Sequence, residues 1–207
     1  MTPLRLLLSF FMKLSINFTV VGALLLFTSS CGYNNMTRLD EEVNAKWAEV
    51  LNQYKRRSDL IPNLVKTVQA YANQEKEIFT AVAEARSKTG SIQATPELVN
   101  DEGAMTAFIA AQKQMGGALS RLMMVAENYP DLKANQNFRD LQVQLEGTEN
   151  RITVARNRYI ESVKNYNTEI RMFPGNITAS IFTFDRKAQF TVENEKAIQD
   201  APTVSFE

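Results

Sequence analysis

The chain has 207 residues, 23 Lys+Arg against 23 Asp+Glu, no His, and a single Cys at position 31. The balanced charge leaves no basic excess for a nucleic-acid surface, and the length suits one ordinary domain plus an export segment. Without His the commonest metal ligand and the commonest general base at neutral pH are gone. A lone Cys permits neither an intrachain disulfide nor a Cys-rich metal site.

Residues 1–30 carry Arg5 and Lys13 and no acids, with a mostly apolar run over 14–27 followed by Thr28-Ser29-Ser30-Cys31-Gly32. That order predicts a signal peptide or a membrane anchor. The apolar run over 16–27 is short beside the roughly 20 residues of a spanning helix. Met12-Lys13-Leu14 makes a compact basic start, so Met12 is the expected first residue. Small residues ahead of Cys31 resemble a lipobox, with Thr28 where that motif usually has Leu. Cys31 is therefore the candidate lipidation site, and an uncleaved anchor is the alternative. Two acyl chains hold a protein stably on a membrane. Either way the following domain is expected outside the cytoplasm, on a membrane. Residues 31–37 then form a short tether, 38–190 a helical body and 191–207 a tail.

In the body, apolar residues at Val43, Trp47, Val50, Tyr54, Ile61, Leu64, Val68, Tyr71, Ile78 and Val82 have helical spacing. The pattern falters at residues 55–59 and Pro62 follows, so the spacing predicts one long helix kinked near Pro62, or two helices in line. Gly90 is the expected left-handed cap. Thr95-Pro96 predicts the start of a second helix, with an interruption possible over residues 100–103. Its seam is Phe108, Gln112, Met115, Leu119, Leu122 and Ala126. Gly116-Gly117 within it suit either a close helix approach or a local kink. Met105, Met115, Met123 and Met124 read as core filler. Tyr129-Pro130 closes this helix, and a short connection over 131–135 forces the next one to run antiparallel.

Asn135 is the expected cap of the longest helix, over residues 135–170. Its seam is Phe138, Leu141, Leu145, Thr148, Ile152, Ala155, Tyr159, Val163, Tyr166 and Ile170, in steps of three and four. So long an apolar stripe needs partner helices. Phe173-Pro174 ends it. Residues 177–190 are too apolar for a free tail and are expected as an extended segment or short helix packed on the bundle end. Residues 191–207 are expected either disordered or as a partner-binding strand. The fold class is all-α: an elongated antiparallel up-and-down bundle of three long helices, or four if the first is split.

The chain resembles the LemA family of bacterial envelope proteins. The resemblance is carried by Tyr33-Asn34, by residues 56–65 (RRSDLIPNLV), by Tyr71-Ala72 and Glu75, and by residues 127–135 (ENYPDLKAN) with Phe138. Thr148-Glu149-Asn150, Arg156, Tyr159, Tyr166-Asn167 and Phe173-Pro174 continue it. These blocks keep their order across about residues 33–185. The resemblance implies an elongated helical bundle behind an N-terminal membrane segment, no established activity, and a neighbouring membrane-anchored TPM-domain protein as a partner. The Ser30-Cys31 ending departs from the plain transmembrane helix usual in the family.

Glu149 and Arg156 are seven residues apart, so they share a helix face beside the seam. Glu75, Glu127, Arg57 and Arg86 are placed to face them from other helices. Those six residues are expected to form a structural polar network that fixes helix register; a buried ligand or catalytic site is the alternative. No phosphate loop, nucleophile elbow or metal-loop spacing is present. The expected function is a non-enzymatic envelope scaffold with no cofactor, no metal and no nucleic-acid partner.

Overall fold

The computed structural model describes residues 3–92 and 95–190, and the side chains of residues 32–92, 95 and 97–190. The candidate lipidation site Cys31 and the tail over 191–207 lie outside that range of side chains, as do the residues that would decide between signal peptide and anchor. Among the described residues six helices form: α1 (Pro3–Gln69), α2 (Lys76–Ser91), α3 (Glu102–Ala126), α4 (Pro130–Ala134), α5 (Gln136–Glu169) and α6 (Gly175–Phe182), with a 3-10 turn over Pro96–Asn100. No strand occurs among the described residues.

Helices α1 and α5 are the spine. They run antiparallel, as their cross-links show. Asn35 Nδ2 donates to Glu169 Oε1 (2.9 Å), Arg158 Nη1 to Glu49 Oε1 (2.6 Å), and Asn135 Nδ2 to the Tyr71 hydroxyl (2.9 Å). The α5 seam is buried as its spacing predicts, only Leu141 remaining partly exposed. Asn135 caps α5, its Oδ1 accepting from the Phe138 N–H (3.1 Å). Asp101 does the same for α3, accepting from the Ala104 N–H (2.9 Å). That cap is where the second helix breaks, leaving residues 96–100 as the separate 3-10 turn.

The first long helix is not split near Pro62; it ends at Gln69, and the chain reverses at residues 70–75. Pro62 lies inside α1, which continues to Gln69. A mid-helix Pro deletes one hydrogen bond, but Ile61, Leu64 and Val68 bury on either side of it and keep the helix whole. The reversal falls instead where residues 73–77 are all polar, so a continued helix would carry Glu75 on the seam. α2 then folds back rather than continuing in line, packing mainly against α3 and leaving an open groove toward α1. Gly90 is an ordinary helical residue, since no glycine among the described residues has positive φ, and α2 runs to Ser91.

Gly116 and Gly117 face open space in α3, where a Cβ would meet nothing within 4 Å. No other helix uses them for close approach. Met105 and Met115 are buried as expected, but Met124 is exposed. Gly116→Ala or Gly117→Ala is expected to stabilise the chain by about 1 kcal/mol each through helix propensity. That corresponds to a melting midpoint higher by about 2–4 °C in a thermal scan followed by circular dichroism.

Two apolar clusters fill the bundle. The lower one, toward the N-terminal side of α1, gathers Trp47, Tyr54, Phe108, Ile152, Tyr159, Val163 and Phe190. The upper one gathers Ile61, Leu64, Leu119, Leu122, Leu132, Phe138 and Leu145 from α1, α3, α4 and α5.

Candidate functional site

Between the two clusters lies a polar layer. Arg57 occupies the seam position between Tyr54 and Ile61, Gln112 the one between Phe108 and Met115, and Thr148 the one between Leu145 and Ile152. Arg57 is 4% exposed, the one charged residue buried among the described residues. Its Nη1 donates to both carboxylate oxygens of Glu149 (2.9 and 3.3 Å), and its Nη2 to Gln112 Oε1 (2.5 Å) and, more weakly, to the Gln112 carbonyl (3.4 Å). The guanidinium also sits 5.0 Å from the Tyr54 ring centroid. One planar cation thus ties α1, α3 and α5 together at a single level. Thr148 returns its hydroxyl to the Gln144 carbonyl (2.7 Å) and needs no partner across the interface.

Arg156 lines the same cleft as Arg57 and Glu149, a concavity of about 270 Å³ that also includes Lys113 and Phe190. Its guanidinium lies over the Phe190 ring at 4.8 Å, and its Nε is buried without a hydrogen-bond partner. Burial holds the Tyr54 phenol above its ordinary pKa, and the Arg156 and Arg57 charges work against that.

The other three expected network residues are elsewhere. Glu75 accepts from the Tyr129 hydroxyl (3.3 Å) at the distal end, where Glu127 pairs with Lys133 on the surface. Arg86 stands on the rim of an open apolar groove of about 560 Å³ between α1 and α2, lined by Ile61, Pro62, Val65, Phe79 and Val82. The structure therefore brings together Arg57, Glu149 and Arg156, and separates them from Glu75, Glu127 and Arg86. Among the described residues, no group of three or more His, Cys, Asp or Glu is placed to hold a metal ion.

A second polar assembly escaped the sequence reading. After α6 the chain returns as an extended strap over residues 184–190, held by side chains of α5. Asn167 Nδ2 donates to the Lys187 carbonyl (3.0 Å) and its Oδ1 accepts from the Lys187 N–H (2.9 Å). The Tyr159 hydroxyl donates to the Ala188 carbonyl (2.7 Å) and the Tyr166 hydroxyl to the Asp185 carbonyl (3.0 Å). Burial pushes both phenols well above their usual pKa, so they serve as fixed neutral donors. The Ala188 N–H reaches the Val99 carbonyl (2.7 Å), and Lys187 Nζ joins Asp40 (2.6 Å) and Asn100 (2.9 Å). The available signal was local: Tyr159, Tyr166 and Asn167 put three polar groups on or beside the seam, and buried polar groups need partners. Asn167→Ala is expected to weaken the strap by about 1–2 kcal/mol. Trypsin cleavage after Arg186 or Lys187 would then accelerate by a factor of about 5–30 when opening precedes cleavage.

The family model described as LemA family matches residues 46–206. Among curated proteins, magnetosome proteins MamQ 1 and MamQ 2 of Paramagnetospirillum magneticum are each 30% identical over 189 residues, covering 84% of this chain and 68% of theirs. Magnetosome protein MamQ of Magnetospirillum gryphiswaldense is 29% identical over the same share. None of these names denotes an enzymatic activity. The polar layer, the α5 cap and the strap all fall inside the matched region, and the chain belongs to the LemA family.

Proposed function

We propose that this LemA-family protein is a membrane-anchored scaffold of the bacterial cell envelope that acts by binding another protein along its helical faces, without catalysis of its own. The observation that carries this reading is the use of Arg57. Its two terminal nitrogens bond Glu149 and Gln112, so the buried charge works as a clamp across three helices. A buried ion pair used in this way specifies register more than it adds stability. The anchoring part rests on the basic-then-apolar composition of residues 1–30. Cys31 is the lipidated residue if that segment is cleaved. Among the residues whose side chains are described, 32–92, 95 and 97–190, no helix is long and apolar enough to cross a membrane. The partner class implied by the family is a membrane-anchored TPM-domain protein. Photocrosslinking along the faces of α2 and α3 in intact cells, followed by mass spectrometry, tests the scaffold reading. A reproducible envelope-protein partner supports it, and crosslinks to no protein reject it.

A second reading, a small-anion site, is favoured by the unpartnered Arg156 Nε in the cleft beside Arg57. Under it, phosphate or a small carboxylate raises the melting midpoint and Arg156→Gln abolishes the rise. No shift with either anion rejects it.

A further inference from the structure

Helix α6 is built inside out. Its small residues Gly175, Thr178 and Ala179 are buried, while Ile177, Ile181 and Phe182 point outward. A helix on a water-exposed bundle normally does the reverse. Close packing is the immediate cause. A Cβ on Gly175 would run into the Glu169 carbonyl oxygen, and one on Gly32 would come within 3.0 Å of Thr178 Oγ1. The small side chains draw α6 against α1 and leave the large ones on the outer face.

The outward residues do not stand alone. Phe173 is 79% exposed and Ile181 66%, with Met172, Ile177, Phe182 and Tyr33 also exposed at the same end. The Tyr33 ring lies 4.8 Å from the Phe182 ring and 5.8 Å from the Phe184 ring, which joins the α1 and α6 sides of the patch. α6 carries no charged residue. A contiguous apolar patch of this kind marks an interaction surface.

We infer that this base of the bundle is a lipid-facing foot, seated at the boundary between headgroups and acyl chains. Its position selects lipid over another occupant. The patch adjoins residues 32–36 of α1, and the apolar run over residues 14–27 precedes them on the same helix. Phe27 precedes Tyr33 by six residues, roughly 9 Å at about 1.5 Å per residue. The headgroup layer on each side of the hydrocarbon is roughly 5–8 Å deep. A chain anchored by that run therefore holds Tyr33 at the outer edge of that layer, and one held by a lipid on Cys31, two residues away, holds it nearer the acyl chains. An interfacial helix buries its apolar face about 5–10 Å into that layer. Tyr is suited to the same depth, with its ring in the apolar layer and its hydroxyl in the wet one. The foot rests on the anchoring reading above and adds a second, non-covalent contact that sets how the bundle stands on the membrane.

The test uses full-length chain with Ile181→Trp in the foot, or Val143→Trp on the exposed side of the distal half of α5, on vesicles of phosphatidylethanolamine and phosphatidylglycerol with brominated acyl chains. Trp47, buried in the lower core, is a common background subtracted with the parent chain. Both sites are exposed, so both variants should melt like the parent. The expected result is that the chain floats with the vesicles, the added emission of the Ile181→Trp variant shifts to the blue and is lost to quenching, and that of Val143→Trp is retained. Flotation with equal emission at both sites overturns the foot and leaves the anchor standing. A blue shift without quenching also overturns it, because protein and not lipid then covers the patch. Failure to float sinks the anchoring reading and the foot with it.

Discussion

Glu149→Ala is expected to lower the melting midpoint by about 4–8 °C, and by more than Arg57→Met does. Removing one partner of a fully buried ion pair costs about 3–5 kcal/mol because the other charge is stranded. Here the Glu149 side chain is 44% exposed and water screens part of the loss, which brings it to roughly 2 kcal/mol. Each kcal/mol moves the midpoint of a chain this size by about 2–4 °C. Arg57→Met removes the buried charge itself and nearly keeps its volume, a change that is often neutral at a buried pair. The half-exposed Glu149 can then turn to water. The double variant should fall close to Arg57→Met alone, because the two residues share one interaction. Thermal scans of the three variants check the order. Unchanged melting of Glu149→Ala together with loss of function in the cell would turn the layer from a clamp into a working site.

Trp47→Ala is expected to cost about 3–5 kcal/mol, the usual range for emptying an aromatic core position, and to lower the midpoint by about 6–20 °C. Trp47 is 1% exposed. Its ring meets those of Phe108 and Tyr159 at 5.3 Å each and that of Phe190 at 6.1 Å. Those four rings come from α1, α3, α5 and the strap, so the cavity would open where four segments converge. Trp47 Nε1 also donates to the Thr95 carbonyl (3.2 Å), which fastens the approach to the 3-10 turn onto α1. Trp47→Phe keeps most of the packing and loses that bond, for about 1 kcal/mol and about 2–4 °C. Equal losses for the two variants would mean that the hydrogen bond, and not the aromatic packing, dominates. Far-UV circular dichroism is the suitable probe, since Trp47 is the only tryptophan.

The functional reading depends on features of different range along the chain. The Arg57–Glu149 pair joins residues 92 apart and the Arg57–Gln112 bond joins residues 55 apart. Nothing local to residue 57 names those partners, and Glu75 and Glu127 were equally plausible by charge and helical face. Which acid meets Arg57 depends on where the chain turns back. The in-line course expected past Pro62 would have carried residues 76–91 away from this layer. The actual reversal at residues 70–75 places Glu75 at the distal end and leaves Glu149 opposite Arg57.

By itself the sequence determined the all-α class, the apolar faces of α1 and α5, the Asn135 cap and the membership in the LemA family. Those properties follow from spacing and side-chain chemistry within a few residues. Only the tertiary structure decided the return of α2 onto α3, the composition of the polar layer, the latching of the strap by Tyr159, Tyr166 and Asn167, and the outward face of α6. Each of these is settled by which surfaces meet across the bundle. Burial at close range rewards a buried Arg in one seam and small residues on one short helix, against what their local pattern favours.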